Sequence, residues 1–130
     1  MEIHEGVAAF LVHGAELRRD LEATDGPACA WVRLRVPVVA GEPVRQTSRT
    51  TVVMDCINLL GVTGLPAGTT AINPDVSAHV MRPVSGEWVA LVGDTRFDRR
   101  VGHGFSSATL ADERGVFGAA STSQVLQRHL

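Results

Sequence analysis

From Ala28 to Val39 apolar and polar positions alternate. Ala28, Ala30, Val32, Leu34, Val36 and Val38 fall on one face, and Cys29, Trp31, Arg33, Arg35 and Pro37 on the other. A period of two is that of a half-buried strand, and Pro37, which has no N–H for a ladder, marks an edge position or the strand's end. Ahead of it, Ala15 to Leu21 is mixed and charged and reads as an edge strand, followed by the turn signal Asp25-Gly26-Pro27. Glu2 to Val12 reads equally as a short helix or a leading strand.

Beyond the breaker Gly41-Glu42-Pro43 the period changes. The spacing predicts a helix from about Gln46 to Leu60, with Thr47 or Ser48 as N-cap and Gly61 as its stop. At about 100° per residue, Val52, Val53, Cys56, Ile57 and Leu60 form one stripe. Asp55 is a lone carboxylate inside that apolar run. With Asn58 it lies just off the stripe, which predicts a carboxylate at the margin of the buried face and not out in solvent. Burying a carboxylate is costly unless it is paired, so one in this setting is a candidate for chemistry.

Four strand-like segments follow, at about Thr70–Met81, Glu87–Phe97, Gly104–Ala111 and Val116–Gln127, separated by short polar connections. One helix between leading strands and an antiparallel meander predicts an α+β fold, its sheet wrapped around one long central helix. The 130 residues read as a single domain over 1–130, with 1–12 as an N-terminal extension of uncertain structure. A chain of this size buries roughly two-thirds of its unfolded surface.

Composition removes several function classes. A net charge of −2 offers no basic face for nucleic acid. The two cysteines, Cys29 and Cys56, are too few for a disulfide framework and read as small reduced core residues. No apolar run approaches the roughly 20 residues of a membrane span. The start Met1-Glu2-Ile3-His4-Glu5 lacks the basic stretch of a secretory leader, so a soluble cytoplasmic protein is expected. The five histidines (His4, His13, His79, His103, His129) show no metal-ligand spacing, and no cofactor is expected. There is no nucleophile elbow, since Gly104-Phe105-Ser106-Ser107-Ala108 fails at its last position, and no phosphate-binding glycine loop. Asp75, Ser77 and His79 alternate along one expected strand, a row too linear for a catalytic triad. Arg33, Arg35, Arg99 and Arg100 are candidates for coenzyme A phosphates, but read first as solvated charge.

An ordered set of segments carries a resemblance. Trp31 to Pro37, Met54-Asp55-Cys56-Ile57-Asn58, Ile72-Asn73-Pro74-Asp75, Met81-Arg82-Pro83, Gly86-Glu87-Trp88 and Ala120-Ser121-Thr122-Ser123-Gln124 together resemble the C-terminal half of the acyl-CoA thioesterase II family and its thioesterase-like relatives. The similarity covers roughly residues 13 to 128 and implies a hotdog fold. It also implies a site in which Asp55 is the carboxylate on the helix and Gln124 the glutamine near the C-terminus, together holding the water that attacks a thioester. Asn73 falls where the family typically has Thr, and offers both a donor and an acceptor. Asn58 matches an Asn one turn after the carboxylate and is the substrate-side residue. The chemistry needs no metal: a thioester is reactive enough for a positioned water with a carboxylate base, and a base works best when apolar surroundings hold it. A backbone N–H near the helix or the adjoining strand is expected to stabilise the oxyanion.

The family's usual chain is a tandem of two modules, of which this sequence corresponds to the second. The expected partners are therefore an acyl-CoA or acyl-carrier-protein substrate and a second hotdog module, most simply a second copy paired sheet to sheet as a homodimer. Two other readings stand beside hydrolysis. One is a non-catalytic acyl-binding or assembly module. The other is a hotdog hydratase or dehydratase, whose D-x-N-P-[LIV]-H motif Asn73-Pro74 superficially resembles, although position 71 is Ala and Val76 is followed by Ser77.

Overall fold

The computed structural model describes residues 13–19 and 27–128, and for 62–64 the backbone alone. The expected N-terminal extension, the Asp25-Gly26 part of the first turn, His4 and His129 lie outside the described residues. The elements in chain order are β1 (Ala15–Arg19), β2 (Ala28–Leu34), helix α1 (Gln46–Asp55) running on into a 3-10 segment (Cys56–Gly64), β3 (Thr69–Ile72), β4 (Ser77–Val80), β5 (Trp88–Asp98), β6 (His103–Asp112) and β7 (Gly115–Arg128).

All the strands belong to one antiparallel sheet of order β1-β2-β5-β6-β7-β3, with β4 also paired to β7. The alternation read in β2 sets its inner face. Ala30, Val32 and Leu34 are buried, and register carries that face across Leu91 and Leu110 and then Ala108 and Ala120. Val53, Cys56, Ile57 and Leu60 of the helical segment pack onto it, as the stripe predicts. The architecture is therefore α+β, a curled sheet holding its helix, as expected.

Four expectations need correction. The helix is not one long central element, because its regular α-helical part stops at Asp55 and a tighter 3-10 path carries the chain through Gly61. Arg45, and neither Thr47 nor Ser48, is the N-cap, without a side-chain cap bond. The hydroxyls of Thr50 and Thr51 instead bond back to the carbonyls of Gln46 and Thr47. Strand β2 ends at Leu34, short of Pro37, which leaves Val36 and Val38 exposed. The segment expected as one strand over 70–81 is two strands, β3 and β4, parted by Asn73–Val76. Pro74 cannot donate to a ladder, so the pairing breaks there.

One polar knot closes the end of the sheet remote from that break. The buried Asp112 carboxylate receives Arg82 twice, at 2.6 and 2.8 Å, and the N–H groups of Ser85 and Arg114 at 2.7 and 2.9 Å. Those donors hold its carboxyl well below the usual carboxylate range, the Arg82 hydrogen bonds contributing most. The knot binds the β4–β5 connection to the β6–β7 turn. Asp112→Ala would strip four donors of their acceptor, and its expected cost is roughly 2–4 kcal/mol, read as a lowered denaturant midpoint. Because the folded pKa is depressed, the wild type holds this contribution above about pH 4 and loses it as pH falls further, and the variant's acid unfolding should be correspondingly flatter. Equal stability of the two proteins at pH 7 would contradict the assignment.

The helix's buried face makes a second measurable claim. Burial pushes the Cys56 thiol up to about 11, with the Asp55 charge adding to the effect, and the thiol lies 3.3 Å from the Val52 carbonyl. Iodoacetamide at about pH 8 should leave Cys56 unmodified in the native protein and label it after denaturation, as read by mass spectrometry of its peptide. Labelling at the same rate in both states would refute the packing.

Candidate functional site

Asp55 is the last residue of the regular α-helix, and its surroundings follow from that position. The final carbonyls of an α-helix lose their partners four residues on, so a donor from elsewhere is welcome there. Asn73 supplies it. Its Nδ2 donates to the Asp55 carbonyl at 2.7 Å and also lies 3.3 Å from Asp55 Oδ1. One amide thus holds both the end of the helix and the carboxylate it carries.

Asn73 reaches the helix because of the broken pairing. Ile72 is opposite Val125 and Ser77 opposite Ser121, so the four residues 73–76 stand against the three residues 122–124 of β7. One extra residue makes a bulge, which turns a side chain that regular pairing would not present. On β7 the inward position opposite is Gln124, 1% exposed, whose Nε2 donates to Asn73 Oδ1 at 3.4 Å. The three residues proposed from sequence therefore do meet, linked in the direction Gln124 to Asn73 to Asp55. That direction also fixes the amide orientations. With Asn73 Nδ2 committed to two oxygens, its Oδ1 must face a donor, which Gln124 Nε2 provides. Gln124 Oε1 is left buried with no donor among the described residues.

The floor around Gln124 is polar where the rest of the inner face is apolar. Ser106 and Thr122 are buried beside it, and Ser106 Oγ lies 2.6 Å from Thr95 Oγ1. The 3-10 segment covers this floor at Gly61, where an added Cβ would stand 2.6 Å from Thr95 Cγ2. Only a residue without a side chain lets the backbone approach that closely.

One expectation about the site changes. Asp55 is exposed in the chain on its own, not set into the margin of the buried face, because at about 100° per residue it stands roughly 130° round the helix from the middle of the stripe. Asn58 is half-buried, and its Nδ2 donates to the Ala71 carbonyl at 3.3 Å, tying the 3-10 segment to β3. Among the remaining candidates, Arg33 is paired with Glu16 and Glu87, and Arg100 with Asp98. Asp75 does not share a strand with Ser77 and His79, since it lies in the bulge and binds Ser123. Ser77 and His79 are exposed and line an open trough of about 450 Å³ on the outer face of the sheet, away from Asp55. Among the described residues no three His, Cys, Asp or Glu side chains are grouped to hold a metal, and no helix is long and apolar enough to cross a membrane.

Sequence reasoning missed the anchoring of the bulge by Asp75, Thr122 and Ser123. Pro74, inside a segment otherwise patterned as a strand, was the available signal.

Comparison with known proteins agrees with the fold. A thioesterase from Haemophilus influenzae superposes with a TM-score of 0.66 at 14% identity, over 98% of this chain and 92% of that one. A thioesterase family protein from Silicibacter pomeroyi gives 0.65 at 14%, over 95% and 90%. An acyl-CoA thioesterase II from Mycobacterium marinum gives 0.64 at 14%, over 93% of this chain but 51% of its own, so this chain spans about half of that protein. A protein from Bacillus halodurans determined with CoA gives 0.58 at 16%, over 75% and 66%. No curated protein matches the sequence. At these identities the likeness establishes the hotdog architecture alone. The family model described as acyl-CoA thioesterase C-terminal domain matches residues 4–126, nearly the whole length, and the chain belongs to that family.

Proposed function

We propose that this protein hydrolyses acyl-CoA or acyl-carrier-protein thioesters, with a water activated by Asp55 as nucleophile. The observation that carries the reading is the hydrogen-bonded line Gln124–Asn73–Asp55, which ends on one side in a carboxylate and on the other in a buried oxygen with no partner among the described residues. A water donating one proton to Asp55 and the other to Gln124 Oε1 would be held with a lone pair free. Asp55 takes the first proton as that oxygen attacks the thioester carbonyl, and the tetrahedral intermediate then expels the thiolate by breaking its C–S bond. The thiolate leaves with the proton, and the carboxylic acid remains. Asn73 keeps the carboxylate oriented, and Asn58, one turn on, is the substrate-side residue in this reading. Family membership supports the substrate class, as does the relative determined with CoA.

Asp55→Asn should lower kcat/KM for thiol release from acyl-CoA by roughly 10²- to 10⁴-fold, the usual scale for losing a general base, with circular dichroism unchanged. A panel of acyl-CoA and acyl-carrier-protein substrates of several chain lengths is the assay. Undiminished release by the variant would remove Asp55 from the mechanism. No release from any substrate by the folded wild type would favour the acyl-binding module.

The reading includes a second module. Among the described residues the sheet edges β1 and β3/β4 each have one side unpaired, and Val80 and Met81 leave large apolar side chains exposed at the second. Such an edge invites another strand. Pairing there would form a continuous sheet. A homodimer is expected at twice 13.8 kDa by light scattering, and a monomer at working concentration would contradict it.

A further inference from the structure

Asp75 is the conspicuous charged group near the site to which the mechanism gives no task. It is an exposed carboxylate in the bulge, two residues after Asn73. Both of its oxygens are engaged by one residue of β7: Ser123 N–H donates to Oδ1 at 3.1 Å and the Ser123 hydroxyl donates to Oδ2. Its backbone carbonyl lies within hydrogen-bonding reach of Thr122 Oγ1. These contacts fall on the stretch of β7 that has lost its ladder partners on this side, between Val125 opposite β3 and Ser121 opposite β4. Asp75 thus substitutes side-chain acceptance for the missing backbone pairing.

Both members of the clamp lie close along the chain to the catalytic amides. Ser123 is adjacent to Gln124, and Asp75 is separated from Asn73 only by Pro74, whose ring fixes its own φ. Clamping Asp75 to Ser123 therefore sets the distance between Asn73 and Gln124, where the amide link is long at 3.4 Å and has little reach to spare. We propose that Asp75 is a positioning residue: its two-point hold on Ser123 keeps the bulge on β7 and so aims the Asn73 amide at Asp55 and Gln124. This deepens the thioesterase reading and rests on it for its kinetic consequence, while its structural consequence stands alone. The clamp is exposed, so its effect is on placement far more than on stability.

Three variants and two readouts test it. Asp75→Ala removes both acceptors. Ser123→Ala removes the hydroxyl contact and keeps the backbone one. Asp75→Asn retains an acceptor for the Ser123 N–H and a donor for its hydroxyl, so it should rescue. The first readout is thiol release. Asp75→Ala should lower kcat by roughly ten- to hundred-fold with KM changed less than about two-fold, the signature of a displaced catalytic group with binding intact. Ser123→Ala should fall between it and wild type, and Asp75→Asn should lie close to wild type. The second readout needs no activity: the side-chain amide signals of Asn73 in a ¹⁵N correlation spectrum, assigned by their loss in Asn73→Ala. They should move and exchange faster with solvent in Asp75→Ala and return in Asp75→Asn. If Asp75→Ala does not fold, Ser123→Ala against Asp75→Asn carries both comparisons. Unchanged Asn73 signals in the clamp-deficient variants would overturn the proposal, whatever happens to the rate. A wild type that releases no thiol would instead sink the hydrolase reading and leave the amide spectrum to decide this one.

Discussion

A single constraint on β7 organises the site. This strand, the longest in the sheet, pairs with β6 along one side and must accept both β3 and β4 along the other. The connecting segment carries one residue too many and a proline, so it cannot pair straight through. The mismatch is placed at Thr122–Gln124 and resolved by side chains. Asn73 turns onto the helix, Asp75 onto Ser123, and the amide of Gln124 meets Asn73 from below. A regular ladder would have satisfied the backbone equally well and left no cluster of polar groups.

The rest of the sheet makes such an interruption tolerable. From Leu34 across Leu91 and Leu110 the inner face is continuously apolar and packs Val53, Ile57 and Leu60. At the far end Asp112 and Arg82 knot two connections together with four directed hydrogen bonds. Toward Gln124 the same face becomes Ser106 and Thr122, and the helix above it gives way to a tighter path at Asp55. Apolar packing and the Asp112 knot lie toward one end of the sheet, and the Asp55, Asn73 and Gln124 cluster toward the other. Local openings of a fold come from its weakly packed regions, so motion at the polar end need not disturb the core.

Much of this was readable beforehand. The β2 alternation placed Ala30, Val32 and Leu34 inside, and the spacing of Val53, Cys56, Ile57 and Leu60 placed the helix on them. The meander strands followed from turn residues. Resemblance brought Asp55, Asn73 and Gln124 into one group although they are separated by up to 69 positions, 124 less 55. The failures share a cause. Helix length, the N-cap and the single strand over 70–81 were read from pattern and propensity, which are weak guides to where an element ends, and in the strand the signal of Pro74 outweighed the pattern. Asp55 was placed beside the apolar stripe although it belongs to the regular helix and the wheel sets it well round from that stripe.

The sequence by itself determined the existence and kind of the main elements and the inner face of the sheet, because a period of two or 3.6 is a relation between neighbours along the chain. It also named the polar residues able to do chemistry. Tertiary structure alone decided that Asn73 bonds both the carbonyl and the carboxylate of Asp55, that Gln124 keeps an oxygen without a partner among the described residues, and that Asp75 grips Ser123. Those facts hang on a one-residue difference between two strands far apart in the chain. Register is a relation between segments, and no single segment carries it.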